Sequence, residues 1–447
     1  MNIIIEQSKI FTSVIGAQPY DNNKIYRLIN YCIETEVDNH LLLYNYLTKE
    51  LLSLSENEKK FLINATFDTD SELIKKLINA WFLVPVDFDD CAFSDQVCNL
   101  VKAFNNKREI TNYDILTTTD CNARCFYCFE CDTIKKNMTK ETAIAVAEYI
   151  KKKSQKKKIH IRWFGGEPLY NVEVIDIISK HLIDDGINFD STMTTNGYLF
   201  NDEVIKRAKD FWKLHSVQIT LDGKRESYNR IKNFIYAGDA YSKVTENIGK
   251  LLDNNIGVVI RLNIDKHNSS ELFDLVEELA EKYREKKGCM IRPAMLFEDT
   301  GKYKFIRSDE ERNNLAVDVK RLRQRIKELG YSRNSVLLNN AYKTNRCMAD
   351  SKNSVMILPD GNLGKCEHHL EDKLIGHISM DPEIIAWKEY IPRTETCKTC
   401  KVYPTCFKLK DCQSNNSTCY DFEREEIVEA IKEKMEYTYL RKLDREM

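Results

Sequence analysis

Through the middle of the chain, short strand-like runs alternate with amphipathic segments. Residues 113–118, 159–164, 189–194, 217–221, 258–263 and 290–296 are rich in β-branched and aromatic side chains, as strands require. Between them, 141–152, 172–183, 202–212, 241–252 and 271–285 place apolar residues three and four apart, the spacing of a helix with one buried face. Strand, helix, strand repeated in this way predicts an α/β fold with a parallel sheet and right-handed crossovers. Five or six such units fit a full or partial barrel, and either carries its chemistry at the carboxyl ends of the strands.

The flanks follow other patterns. Residues 40–47 and 51–54 predict a hairpin around Thr48-Lys49-Glu50, followed by two short helices and an extended run at 81–86 that contains Pro85. This order suits a small winged-helix-type domain. Beyond the barrel, 308–330 reads as a charged helix closed by Gly330, and 421–447 as a second charged helix. The expected division is therefore 1–108, an N-terminal winged-helix-like domain; 109–300, the barrel; 301–345, a helical linker; 346–420, a cysteine-rich domain; and 421–447, a helix.

Composition narrows the function. Apolar residues at 43% and charged residues at 30% describe an ordinary globular protein. A net charge of -2 gives no general field for a polyanion, so no nucleic-acid partner is expected. The lysine-rich run at 151–158 is the local exception; it ends a helix, where solvated lysines suit the dipole. The amino terminus lacks a basic n-region, and no stretch reaches the ~20 apolar residues of a membrane helix. A cytoplasmic protein without a membrane partner is the expectation. In that compartment 15 cysteines point to metal ligands rather than to a disulfide framework.

The cysteines fall into two dense groups. Cys121, Cys125 and Cys128 follow the first barrel strand directly, at spacings of four and three. One loop carrying three thiolates can wrap one face of a cubane cluster and leave the fourth iron open. A structural zinc would want four ligands, whereas iron–sulfur clusters are held by thiolates. Cys131 extends the series: it is either a fourth ligand, which would close the open iron, or a bystander. Cys32, Cys91, Cys98 and Cys289 read as buried apolar thiols.

Cys121, Cys125 and Cys128 resemble the signature loop of the radical S-adenosylmethionine (SAM) superfamily, and further motifs follow at successive strand ends. Phe164-Gly165-Gly166-Glu167-Pro168 ends the second strand, Thr194-Thr195-Asn196-Gly197 the third, Gln218-Ile219-Thr220-Leu221-Asp222-Gly223 the fourth and Arg261-Leu262-Asn263-Ile264-Asp265 the fifth. The resemblance implies a partial (β/α)6 barrel holding a [4Fe–4S] cluster and SAM. It implies that Gly165, Gly166 and Glu167 hold the methionine ammonium, and that Tyr127 lies near the adenine. Thr195, Asn196, Thr220 and Arg261 are the other implied cofactor contacts. Relatives usually carry an arginine for the cofactor carboxylate where this chain has Lys232, with Arg230 nearby. A lysine offers a point charge instead of a planar fork, so this contact departs from the pattern.

The second group runs Cys347, thirteen residues, Gly361, four residues, Cys366, then Cys397, Cys400, Cys406, Cys412 and Cys419. Zinc, as two sites or one with spares, is one reading of these spacings. The order also resembles the SPASM extension of radical SAM enzymes, except that five residues, not three, separate Cys406 from Cys412. That resemblance implies two auxiliary [4Fe–4S] clusters: Cys347, Cys366 and Cys412 for the nearer, and Cys397, Cys400, Cys406 and Cys419 for the farther. The altered spacing allows Cys412 and Cys419 to exchange, and the nearer cluster's fourth ligand stays open. Glu367 is either a catalytic acid/base or substrate contact, or a group that hydrogen-bonds beside the cluster.

The implied activity is reductive cleavage of SAM to a 5′-deoxyadenosyl radical, which then abstracts a substrate hydrogen. Enzymes with this extension mostly modify peptides, and the N-terminal domain resembles the element that captures the leader of a ribosomally made precursor peptide as an added strand. The leading expectation is a peptide maturase that installs a thioether or similar crosslink, reduced by a flavodoxin or ferredoxin. The alternatives are a sulfatase-maturase-like enzyme that makes formylglycine, and a non-catalytic iron–sulfur or zinc scaffold.

Overall fold

The structure is a computed structural model that describes residues 1–63, 71–105, 109–155, 157–298, 307–332, 337–342, 347–387, 393–406, 412, 419 and 421–446. The chain forms two compact units: Met1–Lys107 with Ser335–Arg346 and Lys388–Met447, and Arg108–Asn334 with Cys347–Trp387.

The first unit is built on an antiparallel sheet in the order β1-β5-β4-β3, from β1 (Asn2–Ile5), β3 (Cys32–Val37), β4 (His40–Asn45) and β5 (Glu50–Leu54). β2 (Tyr26–Leu28) pairs separately with β6 (Leu83–Pro85), and α1 (Glu56–Ile63), α2 (Glu72–Asn79) and α3 (Asp90–Asn105) complete the N-terminal part. The expected hairpin is β4–β5, with Leu41 opposite Leu54 and Asn45 opposite Glu50. A further hairpin joins β3 to β4 through Asp38 and Asn39, whose φ values of 46° and 61° suit the tight turns that match strand twist.

The second unit contains the six parallel strands: β7 (Asn112–Thr118), β8 (Ile159–Gly165), β9 (Phe189–Thr195), β10 (Leu214–Thr220), β11 (Gly257–Ile264) and β12 (Cys289–Met295). The crossover helices are α4 (Lys140–Ser154), α5 (Val172–Asp184), α6 (Asp202–Asp210), α7 (Arg225–Lys232), α8 (Ala240–Asp253) and α9 (Ser269–Lys282). α10 (Asp309–Glu328) packs on β12 and begins with a capping box made by Ser308 and Glu311. One face of the strands enters the core with the helices, as Ile161, Trp163, Val217, Ile219, Ile260 and Leu262 show. The other face carries Asp114, Arg162, Thr192, Gln218, Arg261 and Arg292, so the concave side of the sheet is polar.

The cysteine-rich segment 346–420 is not one body. β13 (Ser354–Ile357) adds in parallel to β7, and β14 (Asn362–Gly364) and β15 (Gly376–His377) extend the sheet to nine strands. Val355, Ile357 and Leu363 join the barrel core, which explains why 347–387 belongs to this unit. The rest of the segment belongs to the first unit, with α11 (Glu395–Lys398) and α12 (Asp421–Glu446). There Ile431, Met435 and Tyr439 of α12 cover Ile33, Leu42, Tyr44 and Leu51 of the sheet. No helix among the described residues is long and apolar enough to cross a membrane.

Candidate active site at the strand ends

The three-cysteine loop begins where β7 stops, and its own backbone shapes it. The Thr118 hydroxyl accepts from the Asp120 amide at 2.9 Å, and the Asp120 carboxylate accepts from the Cys121 amide at 2.8 Å. The Cys128 amide donates to Cys125 O at 3.2 Å, and the Cys131 amide to Cys128 O at 3.3 Å, forming successive tight turns. Buried Asn122 fixes the loop from behind: its side-chain oxygen accepts from the Asn196 amide nitrogen at 2.7 Å, and its carbonyl accepts from the Ile235 amide at 2.9 Å. The sulfurs of Cys121, Cys125 and Cys128 lie within electrostatic reach of one another; burial pushes the Cys121 and Cys128 thiols up to about 12.

The two glycines of the second strand end are required by this loop. An added side chain on Gly165 would overlap the Thr118 carbonyl oxygen, and one on Gly166 the Asp120 carbonyl oxygen. Gly165 also has φ +119°, which other residues rarely adopt. The Gly166 amide donates to Thr118 O at 3.1 Å and the Glu167 amide to Asp120 O at 2.9 Å, so the second strand end cradles the start of the cluster loop. Glu167 is 0% exposed. Its carboxylate accepts from Thr195 Oγ1 at 2.8 Å and from the backbone amides of Asn196 at 2.8 Å and Leu169 at 3.1 Å. Its oxygens thus tie the second strand end to the third, and burial pushes this carboxyl up to about 7.

At the fourth strand end the structure adds a residue beyond the expected set, Asp222, which is 1% exposed. Lys232, 4% exposed at the end of α7, lies 2.8 Å from the Asp222 carboxylate and donates to Tyr127 Oη at 2.7 Å. Tyr127 in turn donates to Asp222 Oδ2. Burial drives the Tyr127 phenol far up, and Asp222 adds to this; Asp222 and Tyr127 hold the Lys232 ammonium well above its usual range against burial. The lysine at the arginine position is therefore neutralised from within the chain. The other Asp222 oxygen has no partner. Thr220, half-buried, is in register with Arg261 of β11, whose Nε donates to Asn263 Oδ1 at 2.8 Å.

Glu367 is 2.9 Å from Arg162, which also pairs with Asp114 on the neighbouring strand. Two residues beyond the expected set lie close by. Glu130 is buried with one carboxylate oxygen unpartnered, and half-buried His368 lies against Phe129, ring centroids 4.4 Å apart, with Nδ1 unpartnered. Burial pushes the Glu130 carboxyl up to about 8.

Cys347 and Cys366 belong to the barrel unit, and Cys397, Cys400, Cys406, Cys412 and Cys419 to the other. Within that unit the Cys400 amide donates to Cys397 O at 3.3 Å, and Cys406 and Cys419 lie within electrostatic reach of Cys400. The four thiols expected to be buried, Cys32, Cys91, Cys98 and Cys289, all are; Cys91 and Cys98 also donate to the carbonyls of Cys397 and Pro404 at 3.4 and 3.5 Å.

Among the described residues no three His, Cys, Asp or Glu side chains group tightly enough to hold one metal ion. A cubane does not ask for that, because each thiolate bonds a different iron. The donor chemistry of Cys121, Cys125 and Cys128 fits such a cluster. The unpartnered Asp222 oxygen and Asn122 side-chain nitrogen fit a polar ligand beside it.

A parallel barrel with a three-thiol loop at its first strand end and a glycine cradle at its second defines a radical SAM enzyme. Residues 115–286 match the radical SAM superfamily model, so the parallel-strand part of the chain carries a radical SAM domain. It is 27% identical over 288 residues to a GTP 3′,8-cyclase of Clostridium perfringens, covering 61% of this chain and 86% of that protein. It is 23% identical over 320 residues to the radical SAM cyclopropyl synthase TigE of Paramaledivibacter caminithermalis, covering 62% and 64%. The fold is similar to that of native anSMEcpe with bound AdoMet, with a TM-score of 0.53 at 15% identity over 74% of this chain and 98% of that one.

Proposed function

We propose that this enzyme is a peptide maturase that cleaves SAM reductively and forms a thioether or similar crosslink in a ribosomally made precursor. The observation that carries this reading is the antiparallel sheet of the N-terminal unit, whose edge strand β3 offers a peptide backbone a place to add. Support comes also from a solved relative of this fold, anSMEcpe, which was captured with AdoMet and the Cp18Cys peptide.

In this reading Cys121, Cys125 and Cys128 hold the SAM-binding cluster. The second cysteine group, Cys347 to Cys419, holds the auxiliary clusters, with Cys397, Cys400, Cys406 and Cys419 as one set. A flavodoxin or ferredoxin supplies the electron. When bound, cluster and cofactor supply a radical that abstracts hydrogen. The chain's own part is position. Gly165 and Gly166 let the second strand end approach the loop, and Glu167 ties it to Thr195 and Asn196. Asp222 offers its unpartnered oxygen to a cofactor hydroxyl, with Lys232 and Tyr127 fixing the carboxylate. Glu367, held by Arg162, faces the substrate.

The test is anaerobic incubation of the reconstituted enzyme with dithionite, SAM and a small peptide encoded beside its gene. 5′-Deoxyadenosine should form together with a peptide that is two hydrogens lighter. Aldehyde formation would favour the formylglycine reading. The identity to GTP 3′,8-cyclases supports a second reading: 5′-deoxyadenosine formed with GTP and without peptide would replace the maturase by a nucleotide cyclase.

A further inference from the structure

Most charged side chains on the concave face of the sheet are matched. Arg162 has Asp114 and Glu367, and Lys232 has Asp222. Two guanidiniums are different. Arg261 of β11 and Arg292 of β12 stand opposite each other in the parallel register, so both project from the same face. The flanking residues Ile260, Leu262 and Ile291 enter the core, which leaves the two arginines on the polar side. Arg261 donates through Nε to the neutral Asn263 side chain and stands 5.6 Å from the Phe297 ring centroid. Neither arginine has a carboxylate hydrogen-bonded to it among the described residues. Burial and the adjacent Arg292 charge both push Arg261 below its usual range, and Arg323 of α10 lies within reach of Arg292 as well.

Asp222 and Glu367 act on Arg261 only from a distance, each already paired with another cation, so a half-buried guanidinium set beside a second one is unfavourable for the ligand-free protein. Charge-assisted, two-pronged hydrogen bonds to an oxyanion remove that cost. We propose that Arg261 and Arg292 clamp a substrate carboxylate, so that the peptide carries an acidic residue or its own C-terminal carboxyl next to the position that reacts. The peptide source of that carboxylate rests on the reading above; the clamp itself rests on the two arginines. It gives Arg261 a substrate role where the resemblance implied a cofactor contact.

Carboxylate capture can be read without turnover. The anaerobically reconstituted enzyme is labelled with phenylglyoxal, and modification of each arginine is followed by mass spectrometry. Four conditions are compared: no ligand, SAM, SAM with N-acetylglutamate amide, and SAM with N-acetylglutamine amide. The glutamate compound should slow labelling at Arg261 and Arg292 together, at concentrations about tenfold below those the glutamine compound needs. N-acetylglycine, which carries a terminal carboxyl, reports the other peptide source. Arg292→Gln, at a solvent-facing position on an edge strand, should abolish the glutamate protection of Arg261. Equal protection by both amides, none by any carboxylate, or full protection by SAM alone would each overturn the clamp. So would protection by GTP without protection by carboxylates. Loss of the clamp leaves peptide turnover untouched as a question, and failure of peptide turnover leaves the labelling result standing, so the two ideas fail separately.

Discussion

Lys232 and Asp222 form an ion pair at 2.8 Å with both side chains almost fully buried, and Tyr127 bridges them. The pair links the end of α7 to the end of β10. It does so beside the cluster loop, because the Arg124 amide donates to the Lys232 carbonyl at 2.8 Å.

Breaking this pair from one side leaves a buried charge alone, which typically costs about 3–5 kcal/mol. Lys232→Met and Asp222→Asn should each lower the urea midpoint of the holoenzyme. The double variant should recover much of the loss, because it leaves no uncompensated charge. Lys232→Arg is not conservative here: its planar fork does not fit a site built around a compact ammonium, and SAM affinity should fall. Equal losses from single and double variants, by equilibrium unfolding, would show that the pair is not coupled.

Gly165 and Gly166 test whether the second strand end shapes the cluster loop. Gly166→Ala puts a methyl group on the Asp120 carbonyl oxygen, and the loop has to move. The expected result is lower iron and sulfide content and a weaker visible absorption after reconstitution, with unchanged far-ultraviolet circular dichroism. Gly165→Ala should be worse, since it adds a left-handed backbone requirement to the overlap. Retained iron in both variants would mean that the loop adapts.

Much of this was legible in the sequence, and the omissions have physical causes. The parallel strands announced themselves because one face is apolar at every second residue, as in Ile159, Ile161 and Trp163. α7 was missed because only Tyr228 and Lys232 of its eight residues are buried, so it has no apolar stripe. β3 was missed because Glu34, Thr35 and Glu36 interrupt its apolar pattern, although Asp38-Asn39 marks the turn that follows. The partner of Glu367 is Arg162, 205 residues away, and no local pattern reports such a distance. The division of 346–420 between two units was equally hidden, since it depends on β13 finding the free edge of β7.

Lys49 and Glu50 make the N-terminal unit sensitive to pH. Both are buried at the β4–β5 turn; burial lowers the Lys49 ammonium to about 7 and raises the Glu50 carboxyl to about 7. Between the unfolded carboxylate value and 7, folded Glu50 holds a proton that the unfolded chain has released, so stability falls as pH rises. Above 7, unfolded Lys49 holds a proton that the folded chain has released, so stability rises toward the unfolded lysine value. Stability of this unit should therefore pass through a minimum near neutrality, with limbs on the order of a few kcal/mol. Hydrogen exchange of Leu51 and Leu52 against pH checks this. Lys49→Met should remove the alkaline limb and Glu50→Gln the acid limb.

Arg162 decides what Glu367 can do. The guanidinium serves Asp114 and Glu367 at once, so Arg162→Met leaves two carboxylates facing each other on the concave side of the sheet. A loss of several kcal/mol is expected, by the same logic as for Lys232. Asp114→Asn should restore part of it. Glu367→Gln keeps the shape and a hydrogen bond to Arg162 but removes the charge. If Glu367 accepts a proton during turnover, this variant still makes 5′-deoxyadenosine while modified peptide falls by about a hundredfold, the usual scale for a lost general base. If Glu367 only fixes Arg162, product and 5′-deoxyadenosine fall together, and the ratio of the two stays at the parent value. Measuring both products in one anaerobic time course separates a proton acceptor from a positioning residue.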